Sequence, residues 1–375
     1  MATRRRPAEV FPPGDFLREE LEERGWTQDD LAAILGRQVR TVNQIIGAKR
    51  SITTDMAKGL SAALGTSPEF WLNLEAAYQL WRVGADGSDQ VAHRARLYTI
   101  APIREMVRRG WIEPSDNPEV LEDRVLSFFE TKSLDEPPSF RAHVARKTEA
   151  MTPYDDATPE QTAWLFRAMH LSRSVQAEKF TDKSISLATQ RLQLLMQAPQ
   201  EVRHVPKVLS ESGIRYVVVQ HLPRTKIDGA CFWIDDSPVI AMSIRYDRID
   251  NFWFTLMHEL GHLAQDGEAV DTNMEAVRRD SNRPQAERMA DSFASEHLVS
   301  QTALDSFVAR SSPLYTTERI EGFSQMQGVH PGIVVGQLQN RYEVTFANFR
   351  RLLVSIKPYL TQSALTDGWS TRASI

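Results

Sequence analysis

His258-Glu259-Leu260-Gly261-His262 is the stretch on which the interpretation of this sequence depends. On an α-helix, two histidines four positions apart lie on one face, so both imidazoles can reach one metal ion. Glu259 projects to the side of that pair, where a carboxylate can take a proton from a metal-bound water. The preceding residues are apolar at helical spacing, which predicts a helix here. The motif indicates a hydrolytic zinc site; the alternative is an amphipathic helix with two buried structural histidines.

A third ligand is expected downstream, because zinc in hydrolases usually has three protein ligands and one open position. Residues 284–298 have the pattern of a helix with proline at its start. Glu287 and Asp291 share one face of this helix, beside small and apolar residues. We interpret Glu287 as the third ligand and Asp291 as a carboxylate that orients a ligating histidine. Glu296 and His297 are rival third ligands. For Glu287 and Asp291, the alternative interpretation is a solvated acidic face.

The segment from about residue 213 to residue 339 resembles the ImmA/IrrE family of zincin-like metallopeptidases. The histidine motif, the helix over 284–298 and a closing helix over 328–339 carry the resemblance. They are preceded by three predicted strands, over residues 214–219, 228–234 and 238–243. Such enzymes cut a partner repressor in one or a few places.

The resemblance implies a zinc peptidase whose ligands are His258, His262 and Glu287 and whose general base is Glu259. Manganese or iron could replace zinc on such a donor set. A donor for the oxyanion of the reaction is also needed. The candidates, which the sequence does not separate, are Tyr246, Tyr315 and His330.

Residues 27–46 have the pattern of a helix-turn-helix. Thr27 is predicted to cap the first helix, Ala32 is small where the helices cross, and Gly36 supplies the turn. The second helix would bury its apolar positions and present polar side chains that can read base edges. The side chains predicted to face DNA are Gln28, Arg37, Gln38, Arg40, Thr41, Asn43, Gln44, Lys49 and Arg50.

Positive charge is concentrated on this element. Residues 31–54 include four basic and no acidic side chains, whereas residues 1–84 include 11 of each. A local basic window is expected of a face that contacts phosphates. The alternative is a small helical bundle with a solvated polar face. Residues 10–83 resemble a HigA-type antitoxin or Xre-type repressor domain, which implies a homodimer that binds a double-stranded DNA operator.

The chain has 375 residues, 42% of them hydrophobic, which is enough for two or three cores. We predict a mainly α protein with a smaller α+β part. The predicted segments are a helix-turn-helix domain (1–84), a helical connector (85–205), a zincin-like metallopeptidase domain with a small sheet (206–345), and a C-terminal helix and tail (346–375). Helices in the connector are predicted over 94–109, 117–130, 159–175 and 184–197.

Composition limits the partners and the cellular compartment that are expected. The net charge of −5 excludes affinity for nucleic acid across the whole chain, so DNA binding must be local. The single cysteine, Cys231, excludes an internal disulfide and is expected to be a core residue of a protein in a reducing cytoplasm. Neither a signal peptide nor an apolar run of membrane-spanning length is recognised, so no membrane partner is expected.

These features predict a cytoplasmic, repressor-like or antitoxin-like DNA-binding regulator that carries a zinc-dependent endopeptidase. Its substrate would be itself or a partner regulator, cut in response to a signal such as stress, and a toxin is a further candidate partner. The alternative is a non-enzymatic, antitoxin-like regulator that binds DNA and a toxin and has a structural metal site. The presence of Glu259 weighs against that alternative, because a structural site needs no general base and prefers four protein ligands.

Overall fold

The computed structural model describes residues 10–83, 86–135, 138–140, 157–265, 269–272 and 284–369. The chain divides into two compact units, Met1–His93 and Arg94–Ile375. Helices predominate, and the sheet lies in the second unit, so the predicted mainly α fold with a smaller α+β part is confirmed. No helix within these described ranges is both long enough and apolar enough to cross a membrane.

The N-terminal unit is a bundle of short helices. These are α1 (Pro13–Arg24), α2 (Gln28–Leu35), α3 (Val39–Ile46), α4 (Thr54–Leu64) and α5 (Pro68–Val83). Thr27 caps α2 in a reciprocal capping box with Asp30, and α2 ends at Gly36 in the left-handed conformation (φ 62°). Ala32 is buried. The predicted helix-turn-helix is therefore formed by α2 and α3.

The second unit begins with helices from the predicted connector. They are α6 (Asp86–Ile100, which crosses the division between the units), α7 (Ile103–Arg108), α8 (Pro118–Phe128), α9 (Pro159–Arg173), α10 (Ser184–Gln193) and, after a 3₁₀ helix (Pro199–His204), α11 (Val205–Glu211). The sequence predicts one helix over 94–109, but α6 and α7 are separate. The break falls at Pro102, which lacks an N–H and clashes with a preceding helical turn.

A mixed sheet forms the centre of the second unit. Its strands are β1 (Arg215–Val219), β2 (Ile227–Ile234), β3 (Ser237–Met242), β4 (Ala269–Thr272) and β5 (Leu365–Asp367), in the order β4-β2-β3-β1-β5. Strand β1 is parallel to β3 and β5, whereas β2 is antiparallel to β3 and β4. The remaining helices are α12 (Ile249–Leu263), α13 (Gln285–Leu298), α14 (Gln301–Ser311), α15 (Thr317–Gln327), α16 (Pro331–Asn340) and α17 (Lys357–Leu360).

Both faces of the sheet are buried. Val218 of β1 belongs to the core formed with α12, whereas its neighbours Val217 and Val219 belong to the core formed with α9. Strands that are apolar on both faces need a cover on both sides. The structure thus differs from the predicted segments: the helices of 85–205 that follow the division provide one of these covers and pack with 206–345 in one unit.

The segment after residue 345 differs from the predicted C-terminal helix and tail. Up to Trp369 it includes a 3₁₀ helix (Arg350–Leu352), α17 and the strand β5, whose Leu365 pairs with Val217. Asp367 in β5 accepts a hydrogen bond from Trp111 Nε1 (3.1 Å) and forms a buried ion pair with Arg167. A strand of three residues is too short to produce a recognisable hydrophobic period, so the sequence did not reveal it.

Candidate metal centre and DNA-binding face

Helix α12 carries the histidine motif through the interior of the second unit. All of its residues except Asn251 are buried, and the side chain of Glu259 is fully inaccessible. A helix that is apolar on most of its circumference is a core helix, and polar groups on it need partners there. The motif is therefore an interior polar cluster, and its neighbours on other elements decide what it can bind.

Three donor groups meet at this cluster. His258 Nε2 and His262 Nε2 are 3.0 Å apart, and Glu287 places one oxygen 3.3 Å from the first and the other 3.4 Å from the second. Tetrahedral zinc with bonds of about 2.0–2.2 Å holds its ligand atoms about 3.3 Å apart. The two imidazoles and the carboxylate therefore fit an ion of this size, and they form a candidate metal-binding group within the described residues.

Asp291 lies one helical turn after Glu287 and contacts the other nitrogen of His258. The distance from His258 Nδ1 to Asp291 Oδ1 is 3.0 Å. A carboxylate here accepts the Nδ1–H, which leaves the lone pair of Nε2 directed towards the other two donors. The structure thus brings Asp291 to the position that orientation of a ligating histidine requires.

Gly261 determines how closely α13 approaches α12. A Cβ at this position would lie 2.9 Å from Ala290 Cα and 3.2 Å from Ala290 O. Such a contact with main-chain atoms leaves no room for a side chain at residue 261. The glycine within the motif is therefore a packing residue that lets the helix with Glu287 reach both histidines. The histidine motif by itself indicates no role for this glycine, although a glycine inside a predicted helix is a signal for close packing.

Glu259 lies against strand β2. A Cβ at Gly229 would be 2.2 Å from Glu259 Oε1 and 3.0 Å from Thr255 Cγ2, so the carboxylate occupies the space that a side chain on β2 would fill. Glycine within a strand often marks the close approach of another group. The carboxylate of Glu259 is thereby held between its own helix and the sheet.

The rival ligands are engaged elsewhere. The Glu296 carboxylate accepts a hydrogen bond from the Gln301 main-chain N–H (3.3 Å), and His297 Nδ1 lies 2.8 Å from Phe293 O. Neither side chain belongs to the group of donors around His258. Glu287 is thus the carboxylate that the structure brings to the histidines.

The three candidates for an oxyanion donor have different surroundings. Tyr315 donates to Glu343 (2.8 Å), and burial, followed by this hydrogen bond, raises the pKa of Tyr315 to about 12. His330 caps the start of α16 with its side chain. Tyr246 instead lines a pocket together with Thr255 of α12, one helical turn before Glu259.

The predicted DNA-binding side chains lie on the surface of the N-terminal unit. The exposed residues are Arg37, Gln38, Arg40, Asn43, Lys49 and Arg50, and the half-buried ones are Gln28, Thr41 and Gln44. The opposite side of α3 is buried. Arg37 forms an ion pair with Asp55 in the first turn of α4. Residues 31–54 include no acidic side chain, but the fold thus brings one into contact with this basic segment.

Both units match family models. Residues 17–71 match the helix-turn-helix family model, and residues 211–351 match the IrrE N-terminal-like domain, which is a metallopeptidase family. The chain is 42% identical over 80 residues to antitoxin HigA-1 of Vibrio cholerae, a match that covers 21% of this chain and 72% of that protein. It is 32% identical over 87 residues to the uncharacterized HTH-type transcriptional regulator YddM of Escherichia coli, covering 23% of this chain and 90% of that one.

A solved structure of the Pseudomonas aeruginosa antitoxin HigA with the higBA promoter is also similar. Its identity to this chain is 36% and its TM-score 0.22, over 23% of this chain and 94% of that one. The relatives and the two family matches show what the chain is: it belongs to the helix-turn-helix family that includes the HigA antitoxins, and it carries an IrrE-like domain. The predicted fusion is confirmed.

Gly261→Ala should lower the free energy of unfolding of the second unit by about 1–3 kcal/mol, because the added methyl group forces α13 away from α12. Gly322→Ala in α15 is the matched control, since nothing lies within 4 Å of a Cβ there. The control should be neutral or gain up to about 1 kcal/mol from helix propensity. Urea unfolding followed by tryptophan fluorescence measures both, and equal effects would contradict the packing role of Gly261.

Proposed function

We propose that this protein is a DNA-binding regulator that carries a zinc-dependent endopeptidase, which cleaves the chain itself or a partner regulator in response to a signal. One observation supports the enzymatic part above all others. Two imidazole nitrogens and a carboxylate converge within 3.4 Å of one another beside the buried carboxylate of Glu259. The IrrE-like domain in which they lie belongs to a metallopeptidase family.

The residues that would hold the ion are His258, His262 and Glu287, and their donor set suits zinc best. A bound zinc ion supplies Lewis acidity, which polarises a carbonyl and makes water more acidic. Asp291 keeps His258 in the tautomer and orientation that binding requires. With three protein ligands the site would leave a position open, as in hydrolases.

Glu259 would act as the general base. Its carboxylate takes a proton from the attacking water and delivers it to the leaving amine of the cut peptide bond. Its position between α12 and Gly229 of β2 limits its motion, so the proton acceptor is preorganised. Tyr246, which is 37% exposed beside the pocket at Thr255, would donate a hydrogen bond to the oxyanion.

Helix α3 would bind in the major groove of an operator. Arg40, Asn43 and Gln44 have the side chains that hydrogen-bond guanine and adenine edges, whereas Lys49 and Arg50 follow the helix and would contact phosphates. Similarity to HigA-1, an antitoxin, supports an antitoxin-like role, with a homodimer on DNA and a toxin as a further partner. Arg37 would contribute less, because Asp55 already neutralises its charge.

We expect about one zinc ion per chain in protein purified without chelator or affinity metal. Glu287→Ala should lose most of it, because two histidines alone bind zinc weakly. Glu296→Ala on the same helix removes an equal charge outside the group and should keep the metal. Elemental mass spectrometry gives the stoichiometry. A chain without metal even after zinc is supplied would contradict the zinc endopeptidase and favour a non-enzymatic, antitoxin-like regulator in which this domain is a scaffold.

Glu259→Gln should reduce cleavage at least about 100-fold while zinc content stays unchanged, because an amide cannot accept the proton. The substrates to test are the full chain itself and a peptide library derived from a bacterial proteome, with new termini counted by mass spectrometry. Cleavage that persists in the variant would exclude Glu259 as the base. A zinc-loaded wild type that cuts neither substrate would contradict the endopeptidase assignment.

Arg40→Ala and Gln44→Ala should each weaken binding to the DNA upstream of the protein's own gene by about tenfold, the loss expected for one good base contact. Arg82→Ala at the end of α5 removes one positive charge from the same unit and serves as the control. Mobility-shift titrations at fixed salt compare the three variants. If Arg82→Ala weakens binding as much as Arg40→Ala, the interaction is charge attraction and α3 does not read sequence.

A further inference from the structure

A cleft of about 790 Å³ opens between α8 and α9 of the second unit. Helix α9 packs on the sheet face opposite α12, so the cleft is separate from the metal group and shares no residue with it. A volume of this size lies within the range of small-molecule pockets. The cleft has no part in the proposed peptidase or DNA-binding chemistry.

One wall of the cleft is aromatic and flat. The rings of Trp111 and Phe128 are stacked, with centroids 5.9 Å apart and planes within 6° of parallel. Both side chains are less than 10% exposed, and Trp111 Nε1 donates to Asp367 in β5 (3.1 Å). The aromatic pair is therefore fixed in place, and it offers a rigid surface for another flat ring.

Charged side chains also line the cleft. Its lining includes three arginines, Arg124, Arg167 and Arg173, and the acid Asp123. Arg167 pairs with buried Asp367 and Arg173 pairs with Glu130, so these two charges are largely balanced.

Arg124 differs from the other two arginines. Its Nη1 donates to the main-chain oxygens of Glu113 (3.0 Å) and Pro114 (2.7 Å). Carbonyl groups position the guanidinium without neutralising it, and within the described ranges Arg124 forms no ion pair. Its remaining N–H groups can form the charge-assisted, two-pronged hydrogen bond that arginine makes with carboxylates.

Neutral polar groups complete the cleft. Burial lowers the pKa of His170 to about 4, so its imidazole is uncharged near neutral pH. The hydroxyl groups of Ser127 and Ser174 lie in the same lining. These groups can hydrogen-bond a ligand without adding charge, which leaves Arg124 as the group that selects for an anion.

We propose that this cleft binds a small aromatic carboxylate, with its ring against Trp111 and Phe128 and its carboxylate on Arg124. The flat apolar wall and the positioned, unneutralised guanidinium are the two features that such a molecule matches. A neutral aromatic compound would use only the first of them, and an aliphatic anion only the second.

The test uses the full chain and two probes of nearly equal shape, naphthoate and its neutral analogue naphthamide, titrated by calorimetry and by ligand-observed NMR. Naphthoate should bind at least about tenfold more tightly than the amide. Arg124→Gln should weaken naphthoate about tenfold and leave the amide unchanged, because one charge-assisted interaction is lost. Arg124→Lys, which keeps the charge, should retain part of the preference.

Two further variants test whether binding takes place in the cleft. Lys207→Gln on α11 removes the same charge outside the cleft and should change nothing. Ser127→Trp places a large side chain at an exposed position of the lining and should abolish binding of both probes even if Arg124 variants fold poorly. Equal affinity for the two probes, equal effects of Arg124→Gln and Lys207→Gln, or no binding of naphthoate at millimolar concentration would each overturn the proposal.

Discussion

Close packing of α13 on α12 is the constraint on which the candidate metal centre depends. Gly261 and Ala290 face each other there, and a Cβ on the glycine would lie 2.9 Å from the main chain of α13. At that separation the carboxylate of Glu287 lies within 3.4 Å of a nitrogen of each histidine. The two helices are linked by a long segment, so this helix crossing, and not chain connectivity, sets the geometry of the donors.

The candidate metal centre and the cleft of the second unit are both built against its sheet. Helix α12 covers one face and carries both histidines of the candidate metal centre, while α9 covers the other face and lines the cleft. Strand β2 is central to this arrangement, because Gly229 makes room for Glu259 on one side and its neighbour Ala230 packs on the other. The candidate metal centre and the cleft thus lie on opposite faces of a single layer.

Features that depend on local pattern were predictable from the sequence. The capping role of Thr27 and the turn at Gly36 follow from short-range chemistry, and β1 to β3 begin and end within one residue of the predicted strands. Features that depend on distant contacts were not predictable. Neither the packing of α9 on the sheet nor the ion pair of Arg37 with Asp55 leaves a periodic signal, and β5 is shorter than any recognisable period.

The position of Asp367 has a consequence for biosynthesis. This residue pairs with Arg167 and accepts a hydrogen bond from Trp111, which precede it by 200 and 256 positions. The core of the N-terminal unit, by contrast, is complete by Leu74. On the ribosome, domains fold as they emerge, and contacts distant in sequence form last. The N-terminal unit can therefore be folded while the sheet that supports α12 still lacks its edge strand.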